Sequence, residues 1–183
     1  MQMESYKILK LNILTFVFFV TILTLSKVLP HAPNFTPLLA LIIFSSLFVQ
    51  NRVILISIIL LSMLISDIIL GIYQGASIVY LILIFIALTV PIVFKKINLI
   101  NVFLSTIYSS LLFYFFSSPL HVIFFENKKL NIETILSSYY DGFPFFVNTI
   151  TSTFIYGCLF AVIISKSNAP NTIVDSDNRK IAN

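Results

Sequence analysis

The sequence predicts an all-α polytopic membrane protein, a six-helix transmembrane bundle, on three observations. The chain is 58% hydrophobic and only 10% charged over 183 residues, and its mean hydropathy is +1.03. A water-facing surface needs far more charge than this, so lipid is the expected solvent. The apolar residues fall into six stretches, at roughly 8–29, 37–50, 53–72, 78–94, 99–116 and 143–165. The polar words 31–37, Asp67 and 144–149 lie at the ends of those stretches, where the chemistry of a membrane protein is to be sought.

Each stretch is judged against the ~20 residues a helix needs to cross hydrocarbon. The first follows Lys7 and Lys10 and resembles a signal peptide, but Leu11–Val28 is long for one and no small-x-small cleavage site follows, so an uncleaved span is expected. The second opens at Thr36-Pro37, a capping residue followed by proline, and is too short to cross comfortably. The connection 117–142 carries Ile132, Ile135, Leu136, Tyr139 and Tyr140 at helical spacing, with Asn131 to start and Gly142 to stop a helix. An interfacial helix at about 132–140 is the expectation. The polar stretch 167–183 has no periodicity and is expected to be a disordered cytoplasmic tail, leaving 1–166 as one membrane domain.

Lysine and arginine set the orientation. With the N-terminus inside, the inner segments hold Lys7, Lys10, Arg52, Lys95, Lys96, Lys166, Arg179 and Lys180, and the outer ones Lys27, Lys128 and Lys129. Eight against three predicts both termini cytoplasmic. The net charge of +4 then reports topology and anionic lipid, with no nucleic-acid partner. The lone Cys158 cannot form an internal disulfide.

This topology brings the polar words together in the outer third of the membrane, as an outward-facing pocket. Asp67 is the strongest signal, because a carboxylate at membrane depth is costly unless paired, hydrated or protonated. It reads as a ligand contact or proton site, or else as a wetted or capping residue. His31, Asn34, Phe35 and Thr36 sit in a loop stiffened by Pro33 and Pro37. Gln74, Tyr140, Asp141 and Asn148 reach the same level, with Phe35, Phe145 and Tyr140 as apolar walls. His121 and Glu126, in the outer connection, have no evident partner. In the last span Thr149, Thr153, Gly157, Ala161 and Ser165 recur every four residues, a helix-packing or partner face. No catalytic, glycine-rich phosphate or metal-ligand pattern is present, so neither enzyme activity nor a cofactor is expected.

Pro30-His31-Ala32-Pro33-Asn34-Phe35-Thr36-Pro37, Ile65-Ser66-Asp67 with Gly71, and Pro144-Phe145-Phe146-Val147-Asn148-Thr149 resemble, in this order, an uncharacterised family of small bacterial integral membrane proteins. That family is similar to the S components, the substrate-binding subunits of energy-coupling factor (ECF) transporters. The resemblance implies a six-helix bundle in the bacterial cytoplasmic (inner) membrane, a site facing outward, and partnership with a transmembrane coupling protein and ATPases. One departure is that Leu11–Val28 contains no alanine, whereas S components often carry an Ala-x-x-x-Ala surface there. The function expected is capture of a small nutrient such as a vitamin or cofactor precursor. The alternatives are an independent proton-coupled carrier using Asp67, and a structural subunit without a ligand.

Overall fold

The computed structural model describes residues 2–49, 51–94, 99–125 and 131–166. The expected tail 167–183, and the loop charges Lys95, Lys96, Glu126, Lys128 and Lys129, lie outside the described residues. Six helices follow in order: α1 Gln2–Val28, α2 Leu38–Phe48, α3 Arg52–Leu70, α4 Ala76–Val93, α5 Leu99–Phe125 and α6 Ile132–Lys166. No strand occurs among the described residues. Four of the helices are long and apolar enough to cross a membrane: α3, α4, Leu99–Leu120 of α5 and Ile132–Ile163 of α6. The protein is therefore helical and membrane-embedded in character.

The short second helix finds its explanation in burial. Leu39, Ala40, Leu41, Ile42, Ile43, Phe44, Ser45 and Ser46 are all buried, which covers every face of the helix. A helix apolar all round belongs in a core, and α2 touches each of the other five helices. Its 11 residues rise only about 16 Å, half the hydrocarbon thickness. It is thus a central post, buried on every face. The loop 29–37 that leads into it is exposed over Leu29–Asn34 and half-buried from Phe35 to Pro37. Helix α2 starts one residue later than expected. Pro37 is its cap, and the Thr36 hydroxyl accepts from the Leu38 N–H at 3.2 Å.

Two expectations are corrected at the α5–α6 end. No separate interfacial helix exists, because 132–140 is the first part of the single 35-residue α6. Asn131 does cap it: its side chain accepts from Thr134 N–H at 2.7 Å, and the Thr134 hydroxyl accepts from Asn131 N–H at 3.0 Å. Gly142, however, does not stop the helix. It lies inside α6 where a Cβ would sit 2.9 Å from Ser118 Oγ and 3.3 Å from Tyr114 Cε2. The glycine serves close approach of two helices rather than a left-handed cap.

Helix α5 likewise runs past its expected end at 116, through Pro119. A proline inside a helix leaves the carbonyl four residues earlier without its donor. Here that carbonyl is Phe115, and it accepts from the Tyr139 hydroxyl at 2.9 Å. The Tyr114 hydroxyl in turn donates to the Tyr139 carbonyl. This reciprocal pair of tyrosines clamps α5 to α6 and satisfies the backbone group that the proline orphaned.

Candidate functional site

Helix ends alternate along the chain, so one end of the bundle collects the 29–37 loop, the α3–α4 turn, the end of α5 and the start of α6. Two polar centres lie there. The first is a charge cluster between α1, α3 and α4. Asp67 is 1% exposed, and its two carboxylate oxygens accept from Lys27 Nζ and from the Tyr80 hydroxyl. Lys27 Nζ also lies 5.6 Å from the centroid of the Tyr73 ring. Deeper in the bundle, the Thr24 hydroxyl donates to the Ser62 carbonyl at 3.4 Å, a second polar tie between α1 and α3. A buried carboxylate with a cation and a phenol is neutralised and satisfied, which is how such a group survives away from water.

The second centre is a cavity of about 250 Å³ between the loop, the α3–α4 turn, α4, α5 and α6. Its exposed lining residues Asn34, Asp141 and Phe145 mark the mouth. Of its buried ones, Ser110 and Thr149, farthest along α5 and α6 from the loop end, mark the floor, while Ser118 and Ser138 lie nearer that end. Aromatic walls come from Tyr73, Phe113, Tyr114 and Phe146, the last two with ring centroids 4.7 Å apart. The Ser110 hydroxyl is fully buried and makes no hydrogen bond, as is that of Ser109 beside it. Most described serines across the six helices donate to a carbonyl three or four residues back, Ser45, Ser62 and Ser105 among them. An unpaired buried hydroxyl costs about 1–3 kcal/mol, so a site that retains one calls for an explanation.

The α3–α4 turn reaches the cavity through Tyr73. Gly71 and Gly75, with φ of 99° and 84°, give the turn the left-handed backbone it needs. Burial, aided by the nearby Asp67 charge, pushes the Tyr73 phenol up to about 12, so it is a neutral donor at physiological pH.

The residues expected to form one pocket separate into three roles. Asn34 and Phe145 line the cavity. Asn34 also holds a φ of 57°, a conformation that asparagine tolerates better than most residues, at the point where Phe35 N–H closes a turn onto Ala32 O at 2.9 Å. Asn148, Phe35, Thr36 and His31 fasten the loop instead. Asn148 Nδ2 donates to the Pro33 carbonyl at 3.0 Å, and Phe35 packs edge-on to Tyr156 at 6.4 Å. The His31 ring nitrogens lie 2.9 and 3.3 Å from the carbonyls of Ala32 and Lys27. Asp67, Gln74 and Tyr140 do not line the cavity. Asp67 belongs to the charge cluster, Gln74 is exposed in its turn, and Tyr140 is 83% exposed. The reason for Tyr140 is periodicity. The cavity takes 138, 141, 142, 145, 146 and 149 from α6, one helical face, and 140 lies on another.

The every-fourth-residue stripe of α6 is placed inside the bundle at its centre. Thr149 and Thr153 are buried, and a Cβ on Gly157 would meet Val102 Cγ1 at 3.0 Å and Thr106 Oγ1 at 3.8 Å. Ala161 is half-buried farther along. The residues that sequence reasoning missed are Lys27 as the partner of Asp67, Tyr73 and Tyr80, and the α5 face. That face had a signal: Ser110, Phe113, Tyr114, Ser117 and Ser118 follow helical spacing opposite the polar start of α6.

Because Asn148 pins the loop at Pro33, Asn148→Ala is expected to free it. Loss of a hydrogen bond of about 1 kcal/mol gives roughly fivefold faster amide exchange over 31–37, measured by hydrogen–deuterium exchange mass spectrometry. Unchanged exchange would show that Phe35 and the prolines hold the loop alone.

Comparison with known proteins gives one finding. Residues 7–171 match a family of unknown function (DUF6580), and the chain belongs to that family. No curated protein and no solved structure gives a significant match.

Proposed function

We propose that this member of a family of unknown function is a membrane-embedded substrate-capture subunit, binding a small nutrient in the cavity under the 29–37 loop. The observation that carries the reading is the cavity of about 250 Å³ itself, walled by aromatic rings and carrying the polar side chains of Asn34, Ser117 and Asp141, with the unpartnered Ser110 hydroxyl buried in its inner wall. A mostly apolar concavity with a few convergent polar groups is the usual form of a small-molecule site. A loop stiffened by two prolines and tied to α6 loses little entropy when it closes over a ligand.

The finer parts of the proposal rest on charge and resemblance. The distribution of lysine and arginine supports a cytoplasmic position for both termini, which turns the cavity mouth outward. Similarity of the three sequence motifs to ECF S components supports six spans in the bacterial inner membrane and a coupling protein with ATPases as partners. The buried α6 stripe does not offer the coupling surface, so the partner would dock elsewhere. Asp67, engaged by Lys27 and Tyr80, gives the proton-carrier alternative no observation in its favour.

The test is native mass spectrometry of the tagged protein, released from its own host's membranes in mild detergent. A co-released small molecule is expected, lost in Ser110→Val and reduced in Asn34→Ala, with thermal stability confirming that both variants fold. A folded protein that carries no adduct in any preparation, including native lipid discs, would sink the capture reading and favour a structural subunit.

A further inference from the structure

The chemistry of the cavity lining narrows the class of ligand, on the premise that the cavity is the capture site proposed above. We infer that it takes a flat aromatic or heteroaromatic molecule bearing an amine or other single positive charge, and that it rejects organic anions.

Three features lead there. The walls are rings: Tyr73, Phe113, Tyr114 and Phe146, with Phe145 at the mouth. Tyr114 and Phe146 pack on one another, tilted by 34° at a centroid distance of 4.7 Å, so a bound ring would meet their remaining faces and edges. Such faces carry negative quadrupole potential and attract a cation.

The second feature is the sign of the lining charge. Among the described residues Asp141 is the ionisable carboxylate of the lining, and no described lining residue is a lysine, arginine or histidine. Lys27, which reaches the Tyr73 ring, is already neutralised by Asp67. An anion entering this cavity would lose its hydration, meet no compensating cation among the described lining residues, and face the Asp141 carboxylate. A cation instead finds that carboxylate at the exposed mouth.

The third is the depth at which polarity recurs. Ser110 holds an unpartnered hydroxyl within the inner wall, which a turn about its χ1 would have to bring to a ligand, while Asp141 stands at the mouth. A ligand that satisfies both is polar at its two ends, with a ring heteroatom inward and the charged amine outward. The pairing of a carboxylate at one end with an orphan hydroxyl at the other sets the orientation.

Three indoles that share one ring and differ in charge make the test: tryptamine, indole-3-acetamide and indole-3-acetate. The chain contains no tryptophan, so indole emission comes from the probe alone. Each is titrated into phosphatidylcholine liposomes holding the full chain, with empty liposomes as the blank. Tryptamine is expected to bind about tenfold more tightly than indole-3-acetate, with the amide between them. Asp141→Asn should remove most of the difference between tryptamine and the amide, leaving what the rings contribute, and Ser110→Ala should weaken both. Equal or tighter binding of indole-3-acetate, or a tryptamine advantage undiminished in Asp141→Asn, overturns the charge assignment and leaves the capture reading standing. Binding of none of the three overturns the aromatic class. If native mass spectrometry also finds no adduct, the capture reading falls with it.

Discussion

Asp67→Asn is expected to destabilise the folded protein by about 3 kcal/mol, because it strands the Lys27 ammonium at the end of the bundle without its counter-charge. Lys27→Met should cost about as much for the mirror reason: the carboxylate left behind is 1% exposed and retains only the Tyr80 hydroxyl. The double variant Lys27→Met/Asp67→Asn should recover most of the loss, since two neutral groups of similar size need no compensation in an apolar setting. Thermal unfolding in a fixed detergent, read as a double-mutant cycle, measures this coupling. If the single and double losses simply add, the two side chains do not act as a pair. Tyr80→Phe should give a smaller effect of about 1–2 kcal/mol, because it removes one hydrogen bond to a carboxylate and leaves the charges balanced. The cluster reads as a rivet between α1, α3 and α4.

Gly157→Leu is expected to be the most damaging substitution outside that cluster. Even a Cβ at this position would lie 3.0 Å from Val102 Cγ1, so a leucine must push α5 and α6 apart where they pack closely. Overpacking costs typically ~1–3 kcal/mol, and little hydrophobic gain offsets it for helices whose alternative neighbours are lipid tails. The loss should appear as a lower melting temperature, and Val102→Ala should return part of it by removing the nearest methyl group. At Gly142 the balance differs. Gly142→Ala gains about 1 kcal/mol of helix propensity, while its methyl must displace the Ser118 hydroxyl, 2.9 Å away, beside a Tyr114 ring held by its own hydrogen bond. These terms nearly cancel, so stability should change little.

Particular residues show how far the chain could be read in advance. The all-α membrane class was legible because lipid imposes a compositional demand that every stretch reports independently. The polar words were legible too, and they do gather at one end of the bundle, since alternation of helix direction follows from helix count alone. Asp67 was rightly singled out as unusual, yet its partner was not, because nothing local links Lys27 to a residue 40 positions away. Gly142 misled because a glycine there normally ends a helix, and here a close contact between α5 and α6 keeps it inside. Helix α5 passes its expected end at 116 because the Tyr139 hydroxyl satisfies the carbonyl that Pro119 orphans.

The sequence by itself thus determined the solvent, the helical class and the end of the bundle where polarity collects, because burial in lipid and helical periodicity act residue by residue. The tertiary structure alone decided that α2 is a buried post, that Asp67 is spent on Lys27 and Tyr80, and that a separate cavity opens on Ser110. Those outcomes depend on which helix faces meet, and a face acquires its partner only when the chain is packed.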